Sequence, residues 1–170
     1  MASAIDDARM ISRAFCEIAP VGELIDWSVR KLLDGADGKA VVELAGLNPW
    51  YSCVGEAFPL FKRALRELGI ATDDRDEALR EYFLALLREI DSGRLEPGEG
   101  LTAVNDEIIR VGLYEARYPE FEAWYDRELR LWVFLDEERE MGEPTSAELA
   151  GKVKIAAKDC LRSNACGRKS

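Results

Sequence analysis

"ALREYFLALLREIDSGRLEPGEGL", residues 78–101, decides the fold. It runs into Gly98-x-Gly100-x-x-Ala103, which has the spacing of a dinucleotide-binding loop. Such a loop works because a buried β-strand delivers its glycines to a helix N-terminus, whose free amides hold a pyrophosphate. The preceding residues have the wrong period for that strand. Leu79, Phe83, Leu86, Leu87 and Ile90 fall on one face of a helix. Glu96 and Glu99 would repel a phosphate, and no Gly-Lys-Ser/Thr follows to make the phosphate loop of a nucleotide hydrolase. The stretch therefore reads as a helix stopped at Gly93 and a connection to a second helix. Pro97 and the glycines turn the chain there, and Leu95 and Leu101 tuck into the core. No nucleotide or other cofactor is expected.

The helical signal extends in both directions. Asp74 and Glu77 form a capping box ahead of the quoted helix, as do Ser3 with Asp6 and Thr145 with Glu148 at two others. Ala8, Ile11, Phe15 and Ile18 make one apolar stripe, and Pro20 opens a helix carrying Leu24, Ile25, Leu32 and Leu33 that ends at Gly35. "KAVVELAGL" fits a helix or a strand. Asn48 and Pro49 read as the cap and first position of a further helix. Pro59 argues for a break near Gly55, and the stronger half carries Phe58, Phe61, Leu65 and Leu68. Leu101, Val104, Ile108 and Val111 continue helically to about Gly112. Pro119 starts an aromatic segment, in which Leu129–Leu135 fits helix or strand. The expectation is an all-α, single-domain bundle of about six to eight helices over residues 1–162, with a short basic tail at 163–170.

Composition narrows the function. The 170-residue chain has a net charge of −10. Residues 1–150 hold 17 Lys/Arg against 32 Asp/Glu, a net −15, while residues 151–170 hold 6 against 1, a net +5. A body this acidic repels nucleic acid and anionic lipid and attracts basic proteins. No apolar run reaches the roughly 20 residues that cross a bilayer, and the acidic start "MASAIDDARM" is unlike a secretory signal. Both point to the cytoplasm. The four cysteines lack the close spacing of a zinc site, so Cys16 and Cys53 read as buried thiols and Cys160 and Cys166 as tail thiols. "TDDRDE" lacks the central glycine and spaced glutamate of a calcium loop. Histidine is absent altogether. That removes Ser-His-Asp and Cys-His nucleophiles, His-Glu-x-x-His metal sites and histidine general bases.

The most aromatic part of the chain holds the candidate site. On a helix, Phe121, Trp124, Tyr125, Trp132 and Leu135 share a face with Glu128 in its middle. A carboxylate between Trp124 and Trp132 would have its pKa raised and could work as an acid or base; it could equally be salt-bridged to an arginine. Asp136, Glu137, Glu138 and Glu140 follow directly. Acids beside aromatics suit a cationic partner, charge supplying rate and register and aromatics the anchors.

The pattern Ile90-x-x-Gly93-x-x-x-Pro97-x-x-Gly100, followed by "FEAWYDRELRLW", resembles small acidic helical proteins of bacteria, some of which accompany secreted toxins as immunity proteins. The resemblance covers about a third of the chain. The missing catalytic groups, the acidic body and the aromatics beside an acidic run point to a non-enzymatic binding protein, in its most concrete form an inhibitor or immunity protein for a basic partner such as a nuclease toxin. Trp124, Tyr125, Glu128, Asp136, Glu137, Glu138 and Glu140 are the candidate docking residues. Two other classes share the same fold: a carboxylate enzyme or small-ligand protein around Glu128, and an oligomeric regulatory or scaffolding subunit.

Overall fold

The computed structural model describes residues 4–70, 72, 74–111, 128–141 and 146–167, the side chains of 164–167 excepted. Helix is the only regular secondary structure among them, and the chain is all-α. The helices are α1 (Ala4–Phe15), α2 (Val21–Leu33), α3 (Lys39–Ala45), α4 (Val54–Glu67), α5 (Arg75–Asp91), α6 (Pro97–Ala103), α7 (Arg130–Glu140) and α8 (Ser146–Gly167). A π-helical segment, Val104–Ile109, continues α6. The chain divides into two compact units, residues 1–78 and 79–170. The division falls inside α5.

Helix α5 is the one the quoted period requires. Leu79, Phe83, Leu86, Leu87 and Ile90 are all buried. Asp74 Oδ1 accepts the Glu77 N–H at 2.8 Å, satisfying one of the free amides of the first turn. The other end closes as a Schellman turn. Gly93 takes a φ of 74°, its N–H donates to the Ile90 carbonyl, and the Arg94 N–H donates to the Glu89 carbonyl. The Arg94 guanidinium then returns to the Glu89 carboxylate through two 2.7 Å bonds. An ion pair thus stands where the motif usually places an apolar contact. Beside that guanidinium the Glu89 carboxyl is held below its ordinary value.

Beyond the turn, Glu96 caps α6. Its Oε2 accepts the N–H of Gly98 at 2.7 Å and of Glu99 at 3.2 Å. These are amides that a nucleotide loop would present to phosphate, and the chain's own carboxylate already occupies them. Gly100 has a packing reason. A Cβ there would lie 2.5 Å from Ile90 Cδ1 and 2.7 Å from Ile90 Cγ1, so only glycine lets α6 come this close to α5.

The first unit packs α1–α4 around Trp27 and Phe61, both fully buried, with ring centroids 4.8 Å apart in an edge-on arrangement. Burying each such side chain contributes roughly 1.5–3 kcal/mol. The polar edge of Trp27 is satisfied as well. Its Nε1–H donates to Asp7 Oδ1 at 3.0 Å, and Asp7 also pairs with Lys31. Glu67 on α4 accepts the Ala40 N–H at 2.7 Å, which caps α3 from another helix. The second unit buries Leu101, Val104, Ile108, Ile109, Leu129, Trp132, Leu135, Leu149, Val153 and Ala157 with the apolar face of α5. Phe83 meets Trp132 edge-on at 5.7 Å.

Several local expectations are corrected. The α1 stripe ends at Phe15, because Glu17 adopts a left-handed φ of 58° and the Ile18 N–H turns back to the Arg13 carbonyl. Ile18 is consequently exposed. Leu33 is exposed too, since it lies nine residues, about half a turn out of phase, from Leu24. Asn48 and Pro49 begin a tight turn and not a helix; α4 starts at Val54. Pro59 sits inside α4, and the carbonyl it leaves without a donor is that of Gly55, an exposed residue. "KAVVELA" and Arg130–Leu135 are both helical. The helix after Leu101 contains a π stretch, which brings Ile109 into the core beside Ile108. Cys53 is exposed, Cys16 is buried, and Cys160 is half-buried on α8. The tail expected from Ser163 is helical as far as Gly167. Ser3, Thr145, Trp124, Tyr125 and the start at Pro119 lie outside the described residues.

Candidate docking surface

Helix α7 carries most of the candidate residues, and its two faces differ. The inner face places Trp132 and Leu135 in the core. Asn105, on the π segment, donates from Nδ2 to the Trp132 carbonyl at 3.3 Å and to the Leu101 carbonyl at 3.1 Å, so it ties α7 to its neighbour. Arg139 donates to Thr102 Oγ1 at 2.6 Å and pairs with Asp136 one turn earlier. Burial pushes the Asp136 carboxyl above its usual value, with Glu140 and Asp106 adding to the effect and Arg139 and Arg110 opposing it.

The acids of the candidate site therefore have different employments. Glu128 pairs with Arg80 at 3.7 Å, and its side chain is mostly buried. Glu138 pairs with Lys152 of α8 at 2.7 Å. Asp136 is held by Arg139. Glu137 and Glu140 have no ionic partner among the described residues. Glu128 and the four acids of α7 share one stretch of chain but not one face, and only Glu137 and Glu140 are exposed. The exposed apolar residues beside them are Leu131, Phe134 and Met141, at 48%, 55% and 74% exposure.

The Cys160 thiol is pushed up by burial and by the nearby Glu128 and Asp159 carboxylates, with the neighbouring Trp132 side chain acting the other way. A thiol held protonated is a poor attacking group. Among the described residues no cluster of His, Cys, Asp or Glu could hold a metal ion, and no helix is long and apolar enough to cross a membrane. A groove of about 490 Å³ lies between α1 and α2, lined by arginines 9, 13 and 30 and by Asp6, Glu23 and Asp26. Arg13 and Glu23 bridge each other within it through two 3.1 Å bonds.

Among the described residues, the most exposed aromatics are ones the sequence did not single out. Trp50 and Tyr51 are 88% and 89% exposed, on the turn between α3 and α4. Asn48 organises that turn. Its Oδ1 accepts the Trp50 N–H at 2.9 Å, and its carbonyl accepts the N–H of Tyr51 at 3.2 Å and of Ser52 at 2.9 Å. With its amides satisfied locally, the turn holds two large aromatic side chains in water. The available signal was Asn-Pro, which initiates turns as readily as it caps helices.

The chain matches no family model, no curated protein and no solved structure.

Proposed function

We propose that this protein is a non-enzymatic, acidic helical binding protein that acts by docking on a basic protein, in the manner of an inhibitor or immunity protein. The observation that carries the reading is the Trp50–Tyr51 turn on a chain of net charge −10. Leaving two aromatic rings in water is unfavourable unless something covers them part of the time. Trp and Tyr are the residues that most often carry interface energy, and they lose little conformational entropy when bound. A preorganised turn lowers that cost further. Supporting this, Glu140 is exposed and has no ionic partner among the described residues, and the resemblance to small acidic immunity proteins points to the same class.

The test is capture of partners by the wild-type protein and by the Trp50→Ala/Tyr51→Ala double variant, at low salt and at about 0.5 M, where charge reaches only a few ångströms. A basic protein recovered in equal amount by the wild type, weakened by salt and lost with the double variant, supports the reading. Equal recovery by the variant overturns the role of the turn, and absence of any stoichiometric partner overturns the inhibitor reading.

A further inference from the structure

We infer that the outer face of α7 is a self-complementary surface that pairs with the same face of a second copy of this chain, the two helices running antiparallel about a two-fold axis. At 3.6 residues per turn, Arg130, Leu131, Phe134, Glu137 and Met141 lie within an arc of about 120°, on the side opposite the buried Leu129, Trp132 and Leu135. Leu131, Phe134 and Met141 are exposed along this arc. The other acid in this arc, Glu138, is tied to Lys152.

The charges specify the occupant. Arg130 and Glu137 are exposed and pair with no charged group among the described residues, whereas Asp136, Glu138 and Arg139 are all paired within the chain. Arg130 stands at the N-terminal end of the face and Glu137 two turns later, with Leu131 and Phe134 between them. A purely basic partner would be repelled by Arg130. A second copy laid antiparallel sets Arg130 of each chain against Glu137 of the other, twice, and buries the four apolar side chains between the two ion pairs. This is the symmetry an isologous dimer requires, in which one patch is complementary to itself.

The contact is small. An eleven-residue helix is about 16 Å long, and a pair of such helices buries less than the roughly 800 Å² per partner of a stable interface. The dimer is therefore a weak one, with dissociation constants in the micromolar range or above. The surface belongs to the second unit and the Trp50–Tyr51 turn to the first, so this inference and the proposed function fail separately.

Sedimentation equilibrium of the full chain over about 5–500 µM, at low salt, tests it. The wild-type mass is expected to rise from that of the 19.1 kDa chain toward twice that value. Arg130→Glu and Glu137→Arg each create two like-charge contacts in the homodimer and are expected to weaken it at least tenfold. Mixing the two variants in equal amounts restores association, because both contacts become attractive again, and the double variant alone restores it for the same reason. A wild type that stays monomeric throughout, single variants that associate as well as the wild type, or variants that fail to recover in the mixture each overturn the proposal. Both positions are exposed, and unchanged circular dichroism checks that the variants fold.

Discussion

Replacing Gly100 by alanine separates the two meanings of the glycine-rich stretch. If Gly98 and Gly100 served a bound phosphate, both would matter for binding and neither for stability. The structure says otherwise. An alanine Cβ at Gly100 would sit 2.5 Å and 2.7 Å from two carbons of Ile90 and 3.3 Å from Leu95 Cδ2, where ordinary carbon contacts are about 3.5–4.0 Å. Ile90 is fully buried, so the crowded atoms are not the free end of a surface side chain. With two contacts below 3.0 Å, the cost falls in the upper part of the overpacking range, about 2–3 kcal/mol. Against it stands the gain of roughly 1 kcal/mol from replacing glycine by alanine in a helix, leaving a net loss of about 1–2 kcal/mol. At Gly98 the nearest atom is the Glu96 Oε2 tip at 2.9 Å, which can swing away at some expense of the cap. Gly98→Ala should consequently change stability by no more than about 0.5 kcal/mol, propensity and lost capping nearly cancelling. Urea unfolding followed by tryptophan fluorescence measures both, Trp132 being buried in the same unit as Gly100. A Gly100→Ala variant as stable as the wild type would refute the packing account of this glycine.

Three further outcomes follow from the geometry. Glu17 closes α1 in a left-handed conformation that costs an L-residue about 1–2 kcal/mol; Glu17→Gly removes that strain at an entropic expense of roughly 0.5–1 kcal/mol, so urea unfolding should register a stabilisation of about 0.5–1 kcal/mol, and a destabilised variant would contradict it. The Glu89 carboxyl is depressed in the folded state by Arg94, so the pair's contribution is complete above the ordinary glutamate range and is lost as pH falls through the depressed value. Arg94→Gln should thus lower the urea midpoint at pH 7 and converge on the wild type in strong acid, and a difference that persists there would disprove the assignment. In a Cys166→Ala background, a thiol reagent should label the exposed Cys53 rapidly and Cys16 and Cys160 slowly, the first being buried and the second half-buried with a raised pKa; mass spectrometry of the labelled peptides gives the order.

The parts of the fold legible in the sequence are those set by local chemistry. Helix α5 could be read because a 3.6-residue period, an Asp74 cap and a glycine at the left-handed position all agree. The end of α1 could not, because Glu17 occupies the place that glycine takes after α5, and nothing in the residue type announces it. The exposure of Leu33 was available in principle, being out of phase with Leu24. The π segment was not, since one of the two bonds that hold Asn105 goes to the Trp132 carbonyl, 27 residues away. At the candidate site, the sequence located a run of acids but not their pairing. Asp136 finds Arg139 one turn on, and Glu138 finds Lys152 on the next helix. Whether a carboxylate is free depends on which helix packs beside it, and that is a tertiary fact.

This division of labour among the acids predicts how binding to a basic partner should respond to perturbation. Acids paired inside the chain still add to its net charge, and so to the field felt by an approaching protein, but they make no new contact on arrival. Trp50 and Tyr51 are the reverse, carrying no charge and offering only contact. Net charge should therefore govern the association rate, and the aromatic turn the dissociation rate. Raising ionic strength from about 0.05 to 0.5 M, which shortens the Debye length to a few ångströms, is expected to slow association by an order of magnitude or more with little change in dissociation. Trp50→Ala is expected to speed dissociation at least tenfold with association nearly unchanged, since a partly covered tryptophan contributes about 2 kcal/mol or more at an interface centre. Surface plasmon resonance on the captured partner resolves the two rates. If Trp50→Ala acted only on association, the ring would be shaping the free turn and not contacting the partner, and the docking role assigned to it would fail.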